Sequence, residues 1–426
     1  MPKLTPIHAV TYNTASNRDL STRITPPYDV LDEQRKQTLL ARDPHNIVAI
    51  DLPVTPPKTV GPDAAYRQAA CCLQQWMDQG VLIRDETPAV FAYQQSFWWQ
   101  DQQQCRRGLF CALKSEPFNQ PHGIFRHERT IQGGLDDRYK LMAATNAQLS
   151  PVFGIYRDRC ACVADLLSGI WQRPADFGGQ TPEDRVEHQL WRITDQSILA
   201  DLQRFFAGNE VYIADGHHRY HTAQRFGQDY PQQPGTDACL FMLVAAEDTG
   251  LVVLPTHRAI IGPAEFGIES LCRQLPENVS ITPINDSHLD LSALAKTLSA
   301  RGHHAMGLCK SNCRQNFVLT TSGADPLAAC QAAGSKIRRQ LDVTILHELI
   351  LNHLTEPAPT DHYRYTADLN ELRQIVDAAP GRIGFVLQPT PLESVMAVSQ
   401  AHELMPPKST FFYPKVATGF VIHCFG

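Results

Sequence analysis

The sequence predicts an α/β (mixed α+β) protein, and three observations lead there. Helical stripes and strand-like runs alternate through the first two-thirds of the chain. Its 426 residues exceed one average domain of ~100–200 residues, so two domains or one large compound unit are expected. Hydrophobic residues at 43% against charged residues at 19% supply a core without disulfide or metal staples.

Each element has its own signal. The first sixty residues are punctuated by proline at Thr25-Pro26-Pro27-Tyr28-Asp29 and again at Pro53, Pro56 and Pro57. From Asp63 to Gln79 apolar residues recur at Tyr66, Ala69, Ala70, Leu73, Trp76 and Met77, and Gly80 ends the stripe, which predicts an amphipathic helix. Ala89 to Trp99 and Cys105 to Lys114 read as two strands joined around Asp101. A polar segment from Phe125 to Asp137 precedes a helix to about Gln148, and Ser150 to Tyr156 reads as a strand. Ser197 to Ala207 is a helix with Thr194 or Asp195 as cap and Gly208 after it. Val211 to Ala214 is a buried strand, and the residues after Arg219 run as a helix. Leu240 to Ala246 and Leu251 to Leu254 add strands. Beyond Gly262 helices and strands mix, including an apolar helix from Leu341 to Leu354. The domain boundary is expected near residue 262, giving a core over 1–262 and a C-terminal α/β region over 263–426.

The formal charge of −6, from 38 basic and 44 acidic residues, argues against duplex nucleic acid bound through overall charge. The longest apolar run, Cys239 to Ala246, is far shorter than the ~18 residues a membrane-spanning helix needs. Met1-Pro2-Lys3-Leu4-Thr5 carries no apolar export signal. Twelve scattered cysteines form no paired framework, which reads as reduced thiols in a cytoplasm. Oligomeric state is left open.

The sharpest motif is Val211-Tyr212-Ile213-Ala214-Asp215-Gly216-His217-His218-Arg219-Tyr220-His221. A strand running into a glycine turn and a helix start aims backbone N–H groups and the positive helix end at one point, where an anion fits. Arg219 can grip phosphate or carboxylate with two hydrogen bonds, and a histidine can donate or shuttle a proton. Asp215 can orient a histidine or accept a hydroxyl proton. His217 and His221 stand four apart, but no third ligand is evident, and His303, His304, Cys309 and Cys313 lack paired zinc spacing, so no metal site is assigned.

A second motif, Phe125-Arg126-His127-Glu128-Arg129-Thr130 followed by Asp136-Asp137-Arg138-Tyr139-Lys140, packs carboxylates and cations together. A carboxylate among cations stays ionised and can act as a base. Pro255-Thr256-His257-Arg258 closes a strand. Pro406-Pro407-Lys408-Ser409-Thr410 presents an ammonium and two hydroxyls to an anion, and Arg23 with Tyr28 and Asp29 is a candidate wall of the same pocket. No G-x-G-x-x-G, G-x-S-x-G or P-loop framework occurs.

These motifs occur in one order, and together they resemble the domain of unknown function 1015 family across nearly the whole chain; His221 stands where family members often carry glutamate. The Asp215 to Arg219 segment is also similar to that of ADP-dependent free-serine kinases, of the wider group with ParB-type partition proteins and sulfiredoxins. That resemblance implies a ParB/serine-kinase-like mixed-sheet catalytic core with a nucleotide-phosphate site at Asp215, Gly216, His217, His218 and Arg219. The expected reaction moves a phosphoryl group between a nucleotide and a small hydroxylated metabolite, free L-serine or phosphoserine first. Gly216, Arg219, Lys408, Ser409 and Thr410 would hold phosphates, Glu128 or Asp215 would take the hydroxyl proton, and Mg²⁺ would come with the nucleotide. Arg23, Tyr28, Asp29, His127, Arg129, Arg138, His257 and Arg258 would line the substrate site. A phosphoserine phosphatase and a non-catalytic ParB-like nucleotide-binding regulator are the alternatives.

Overall fold

The computed structural model describes residues 2–118, 120–261, 268–284, 290–301, 304–313, 315–330, 334–352 and 363–426. The chain divides into two compact units: Met1–Val252 together with Pro414–Gly426, and Val253–Tyr413. The second unit is an insertion, because the chain returns to the first unit for its last residues. The sequence reading put the division near residue 262, which, like His303, lies outside the described residues, and did not foresee the return.

The first unit is built on a nine-stranded mixed sheet. It comprises β1 (Leu4–Thr5), β2 (Val90–Trp99), β3 (Gln102–Lys114), β4 (Ile124–Phe125), β5 (Val152–Tyr156), β6 (Phe177–Thr181), β7 (Val186–Ile193), β8 (Val211–Asp215) and β9 (Ala238–Ala245). The order is β4-β8-β5-β9-β3-β2-β7-β6, with β1 against β3. β8 is parallel to β4 and β9 is parallel to β5, while the other pairs are antiparallel. The expected hairpin is β2–β3. Gln100 and Asp101 make its turn at φ 48° and 62°, the left-handed pair that matches strand twist. β9, central and apolar, is fully buried from Leu240 to Val244.

Six helices of the first unit pack on this sheet or on one another. They are α1 (Glu33–Arg42), α2 (Val48–Asp51), α3 (Asp63–Asp78), α4 (Gln132–Thr145), α5 (Gln196–Phe206) and α6 (His217–Asp229). Helix α3 buries Tyr66, Ala69, Leu73 and Trp76, at helical spacing. Helix α5 is capped by Asp195, which accepts from the Ser197 and Ile198 amides at 2.9 and 3.2 Å. Helix α4 begins inside the segment read as a polar loop and ends at left-handed Asn146. Helix α6 begins three residues earlier than expected, at His217.

A polar latch in the sheet holds the returning tail. Buried Arg106 donates through Nε to Gln95 Oε1 at 3.0 Å and through Nη2 to the Pro414 carbonyl at 2.6 Å. Gln95 Nε2 donates to the Lys415 carbonyl at 3.0 Å. The tail's Lys415 is thereby delivered to the first unit. On the same face His188, 2% exposed, bonds Tyr93 Oη at 2.7 Å and Thr181 Oγ1 at 3.0 Å.

The second unit has a six-stranded antiparallel sheet: β10 (His257–Ile261), β11 (Val279–Pro283), β12 (Ala305–Lys310), β13 (Phe317–Thr321), β14 (Tyr363–Thr366) and β15 (Arg382–Val386). Their order is β11-β13-β12-β15-β10-β14. The apolar helix expected over 341–354 is one turn, Asp342–Ile345, widening into a π-helical stretch, Leu346–Leu351; residues 353 and 354 lie outside the described residues.

Three histidines of the two units are neutral, chiefly through burial: His188 is pushed down to about 3, His347 to about 3 and His257 to about 4. The unfolded chain takes up a proton at each near its ordinary value of 6.5 while the folded chain does not. Stability is therefore undiminished by them above that pH and falls below it. Each adds a slope of up to about 1.4 kcal/mol per pH unit. Urea unfolding at about pH 7, 6 and 5 will show this decline, and the H188Q variant will show a shallower one; equal slopes would contradict the assignment.

Candidate functional site

Strand β8 is buried from Val211 to Ala214 and surfaces at Asp215. Gly216 follows at φ +90°, and a side chain there would put its Cβ 3.0–3.1 Å from the Arg219 guanidinium. The backbone conformation favours glycine, and the contact adds to that preference. Helix α6 then starts, with its first amides at the same point.

The Asp215 carboxylate gathers two cations. Arg219 Nη2 donates to Oδ2 at 3.0 Å, and Lys415 Nζ approaches Oδ1 at 3.4 Å. Arg219 Nη1 donates to the Pro151 carbonyl, which pins the guanidinium against β5. Lys58 Nζ donates to Asp29 Oδ2 at 3.1 Å. Burial alone would lower the Lys58 ammonium, but Asp29 and, more weakly, Tyr28 and Asp215 raise it, so it stays charged. Gly134 of α4 makes room here: a Cβ there would lie 2.9 Å from His218 Cδ2 and 3.5 Å from Lys58 Cγ.

Arg138 is spent on the fold. Its guanidinium lies 3.9 Å from the Tyr28 ring centroid, Nε donates to Asp137 Oδ2 at 2.9 Å and Nη1 donates to the Asp51 carbonyl at 2.8 Å. Tyr66 donates to the other Asp137 oxygen at 2.9 Å. Burial pushes Tyr28 up to about 12 and raises Asp51 despite Arg138. A cavity of about 30 Å³ lies among Asp51, Arg138, Gln148, Ser150 and Arg219, room for about one water. Asp51 Oδ2 is buried with no donor among the described residues.

The histidines hold the 127–131 loop on α6. His217, 2% exposed, accepts from the His127 amide through Nε2 at 3.5 Å, and its ring meets the His127 ring edge-on at 4.7 Å. Burial, with nearby His127, His218, Arg126 and Arg219, keeps His217 well below its ordinary value. With Nε2 accepting, its one proton belongs on Nδ1, 3.6 Å from Glu128 Oε2. Burial likewise lowers His127, against the pull of Glu128. His218 Nε2 accepts from the Ile131 amide at 2.9 Å, and His221 Nδ1 bonds Thr130 Oγ1 at 3.1 Å. Among the described residues no three His, Cys, Asp or Glu side chains could hold a metal ion.

The first unit therefore brings together Tyr28, Asp29, Glu128, His127, Arg138, Asp215, Gly216, His217, His218 and Arg219. Arg129 is exposed beside Arg126. Arg23 pairs with Asp43 at 3.3 Å and lies over the Tyr12 ring. The remaining sequence candidates fall in the second unit. Arg258, fully buried, donates through Nη2 to the Pro407 and Lys408 carbonyls at 3.2 and 3.0 Å and through Nε to His347 at 3.2 Å. His257 Nδ1 accepts from the Leu387 amide at 3.2 Å. Thr410 follows Ser409, whose hydroxyl donates to the Pro406 carbonyl within the turn. Arg258 thus builds the Pro406–Thr410 turn.

Sequence reasoning missed Lys58, Asp51 and Lys415, and named Asp137 only within the Asp136–Lys140 run. Lys58 had a signal: Pro56-Pro57-Lys58-Thr59 repeats the pattern Pro406-Pro407-Lys408-Ser409, and both lysines adopt left-handed backbone, at φ 65° and 56°. Lys415 had none, because only the folded chain's return brings it to Asp215.

The G216A variant should lose about 1–2 kcal/mol of unfolding free energy, from its left-handed backbone alone. Chemical denaturation will measure it; an unchanged midpoint would show that the turn relaxes without cost.

No curated protein matches the chain. Among solved structures it is similar to a free serine kinase in complex with AMP, at 15% identity and TM-score 0.34, covering 72% of this chain and 86% of that one. A free serine kinase variant in complex with ADP gives 13% identity and TM-score 0.36, covering 72% and 87%. SbnI with a C-terminal truncation, from Staphylococcus aureus, gives 9% and 0.35, covering 71% and 84%. The model of a family described as a protein of unknown function, DUF1015, matches residues 4–344, four-fifths of the chain, and this protein is a member of that family.

Proposed function

We propose that the protein is a phosphotransferase that moves a phosphoryl group between a nucleotide, ADP or ATP, and a small hydroxylated metabolite, with free L-serine or phosphoserine the first pair to test. The observation that carries this reading is the Asp215–Gly216 turn. It aims the start of α6 at a point bordered by Arg219 and Lys415, the combination of backbone amides and cations that phosphate needs. Lys58 adds a third cation whose charge Asp29 and Asp215 both favour. The proposed setting is the cytoplasm, where buried free thiols such as Cys111 and Cys239 stay reduced.

In this mechanism Arg219, Lys415 and the Gly216 backbone neutralise the phosphates, so Asp215 serves as their anchor: both its oxygens already engage cations. Glu128 is then the base that takes the hydroxyl proton, oriented by the Nδ1–H of neutral His217. The metabolite oxygen forms a bond to the transferring phosphorus as the bond to the nucleotide's bridging oxygen breaks, and the nucleotide leaves shorter by one phosphate. Mg²⁺ fits here only as the nucleotide's own ion. It would rest on phosphate oxygens and one carboxylate, Asp29, and would neutralise phosphate charge.

Phosphorus NMR of the protein with Mg²⁺ and phosphoserine, with and without AMP or ADP, tests the reading. Nucleotide-dependent formation of ADP or ATP supports it; inorganic phosphate released without nucleotide would replace it with a phosphatase. Once activity is seen, E128Q should lower kcat about 10²–10⁴-fold with nucleotide affinity kept, whereas R219M should weaken nucleotide binding. An E128Q enzyme at full turnover would exclude Glu128 as the base.

A further inference from the structure

A separate cavity of about 720 Å³ opens in the first unit, sharing no residue with the Asp215 site. Its volume falls in the range of pockets that hold metabolites. One face of the sheet makes its floor. In register, Leu4 stands opposite Leu113 and Thr5 opposite Ala112, so Lys3 and Lys114 are cross-strand neighbours. The Lys114 amide donates to the Lys3 carbonyl at 3.0 Å, and Ala238 stands opposite Lys114 on the other side. Lys3, Lys114 and Ala238 therefore form a row pointing to one side of the sheet. Arg84 contributes a third cation from the wall, and its charge reaches His423 and Cys424.

Two features of this cavity have no explanation in folding. Like charges directly opposite across a strand pair are destabilising, yet Lys3, Lys114 and Arg84 make no ion pair among the described residues. Asp237 is the one acidic side chain among the described wall residues, joined by the Gly426 end of the chain. The wall also carries His423, 7% exposed, whose Nε2 bonds the Gly235 carbonyl at 3.2 Å while Nδ1 is buried without a donor among the described residues.

We propose that this cavity is a binding site for a small multivalent oxyanion, a phosphate ester or a di- or tricarboxylate, held by Lys3, Lys114 and Arg84. The anion relieves the repulsion between the two lysines, and the apolar wall at Ile7, Pro6 and Pro234 accepts its carbon skeleton. Binding is separate from the phosphotransfer reading and survives its failure.

Calorimetric titration of the full chain with pyrophosphate and with citrate tests it, the two probes distinguishing phosphate from carboxylate sources. R219M serves as a background in which the Asp215 site is weakened. Saturable binding of either probe is expected in wild type and in R219M, weakening steeply with added salt. K114E should lose at least about tenfold in affinity, because one charge-assisted contact is removed and a repulsive one is added. The same variant should fold normally, since the introduced carboxylate can pair with Lys3 across the strands, and R84Q gives an independent check. Binding unchanged in both K114E and R84Q would overturn the proposal. So would the absence of saturable binding of both probes.

Discussion

The Asp215 carboxylate is the knot of the first unit. It ends a buried strand, receives the arginine from the first turn of the following helix and receives the lysine of the returning tail. A strand end, the helix start that follows it and a tail 200 residues further on meet on two oxygens. The latch behind them has the same character: Arg106 and Gln95 spend their donors on the carbonyls of Pro414 and Lys415. Partly buried charges of this kind contribute less by attraction than by the cost of stranding one partner. Two further cations near the turn are matched to carboxylates, Lys58 to Asp29 and Arg138 to Asp51 and Asp137. An arriving anion must therefore compete with Asp215 for Arg219 and Lys415. The site is poised by internal pairs rather than by surplus positive charge.

The neutral histidines follow from the same economy of charge. His217 and His127 are packed edge to face and buried, and protonation of His217 would place a cation beside Arg219 and Arg126. Kept neutral, His217 serves as a hydrogen-bond acceptor for the His127 amide, as His218 does for that of Ile131. Two histidines in a row thus fasten a loop to a helix start, and the loop carries Glu128 to His217.

Much of this was legible in the chain wherever one residue type has one physical use. The stripe of α3, the β2–β3 hairpin, the cap of α5 and the strand–glycine–helix turn at Asp215 all declare themselves locally. Helix α1 did not, because only Leu39 of its residues is fully buried and no stripe forms. Strands β6 and β7 went unread although Val186, His188 and Leu190 alternate with exposed residues; Gly178 and Gly179 weaken the partner's signal. In the site, residues of the helix-start motif were readable, whereas Asp51, Asp137 and Lys415 act through contacts between distant segments. Arg258 and the Pro406–Thr410 turn were read as two pieces of chemistry, and the second unit joins them as one structural device.

The tail's return also sets an order of events during synthesis. All of Val253–Tyr413 must leave the ribosome before Pro414–Gly426 can pack on the unit that was translated first. Until then Asp215 has Arg219 but not Lys415, and the carbonyl acceptors of Arg106 and Gln95 in the tail are missing. A nascent chain can thus complete its inserted unit while the older unit still waits for its last segment and its lysine. Chains truncated near the end would damage the part of the protein that was made earliest.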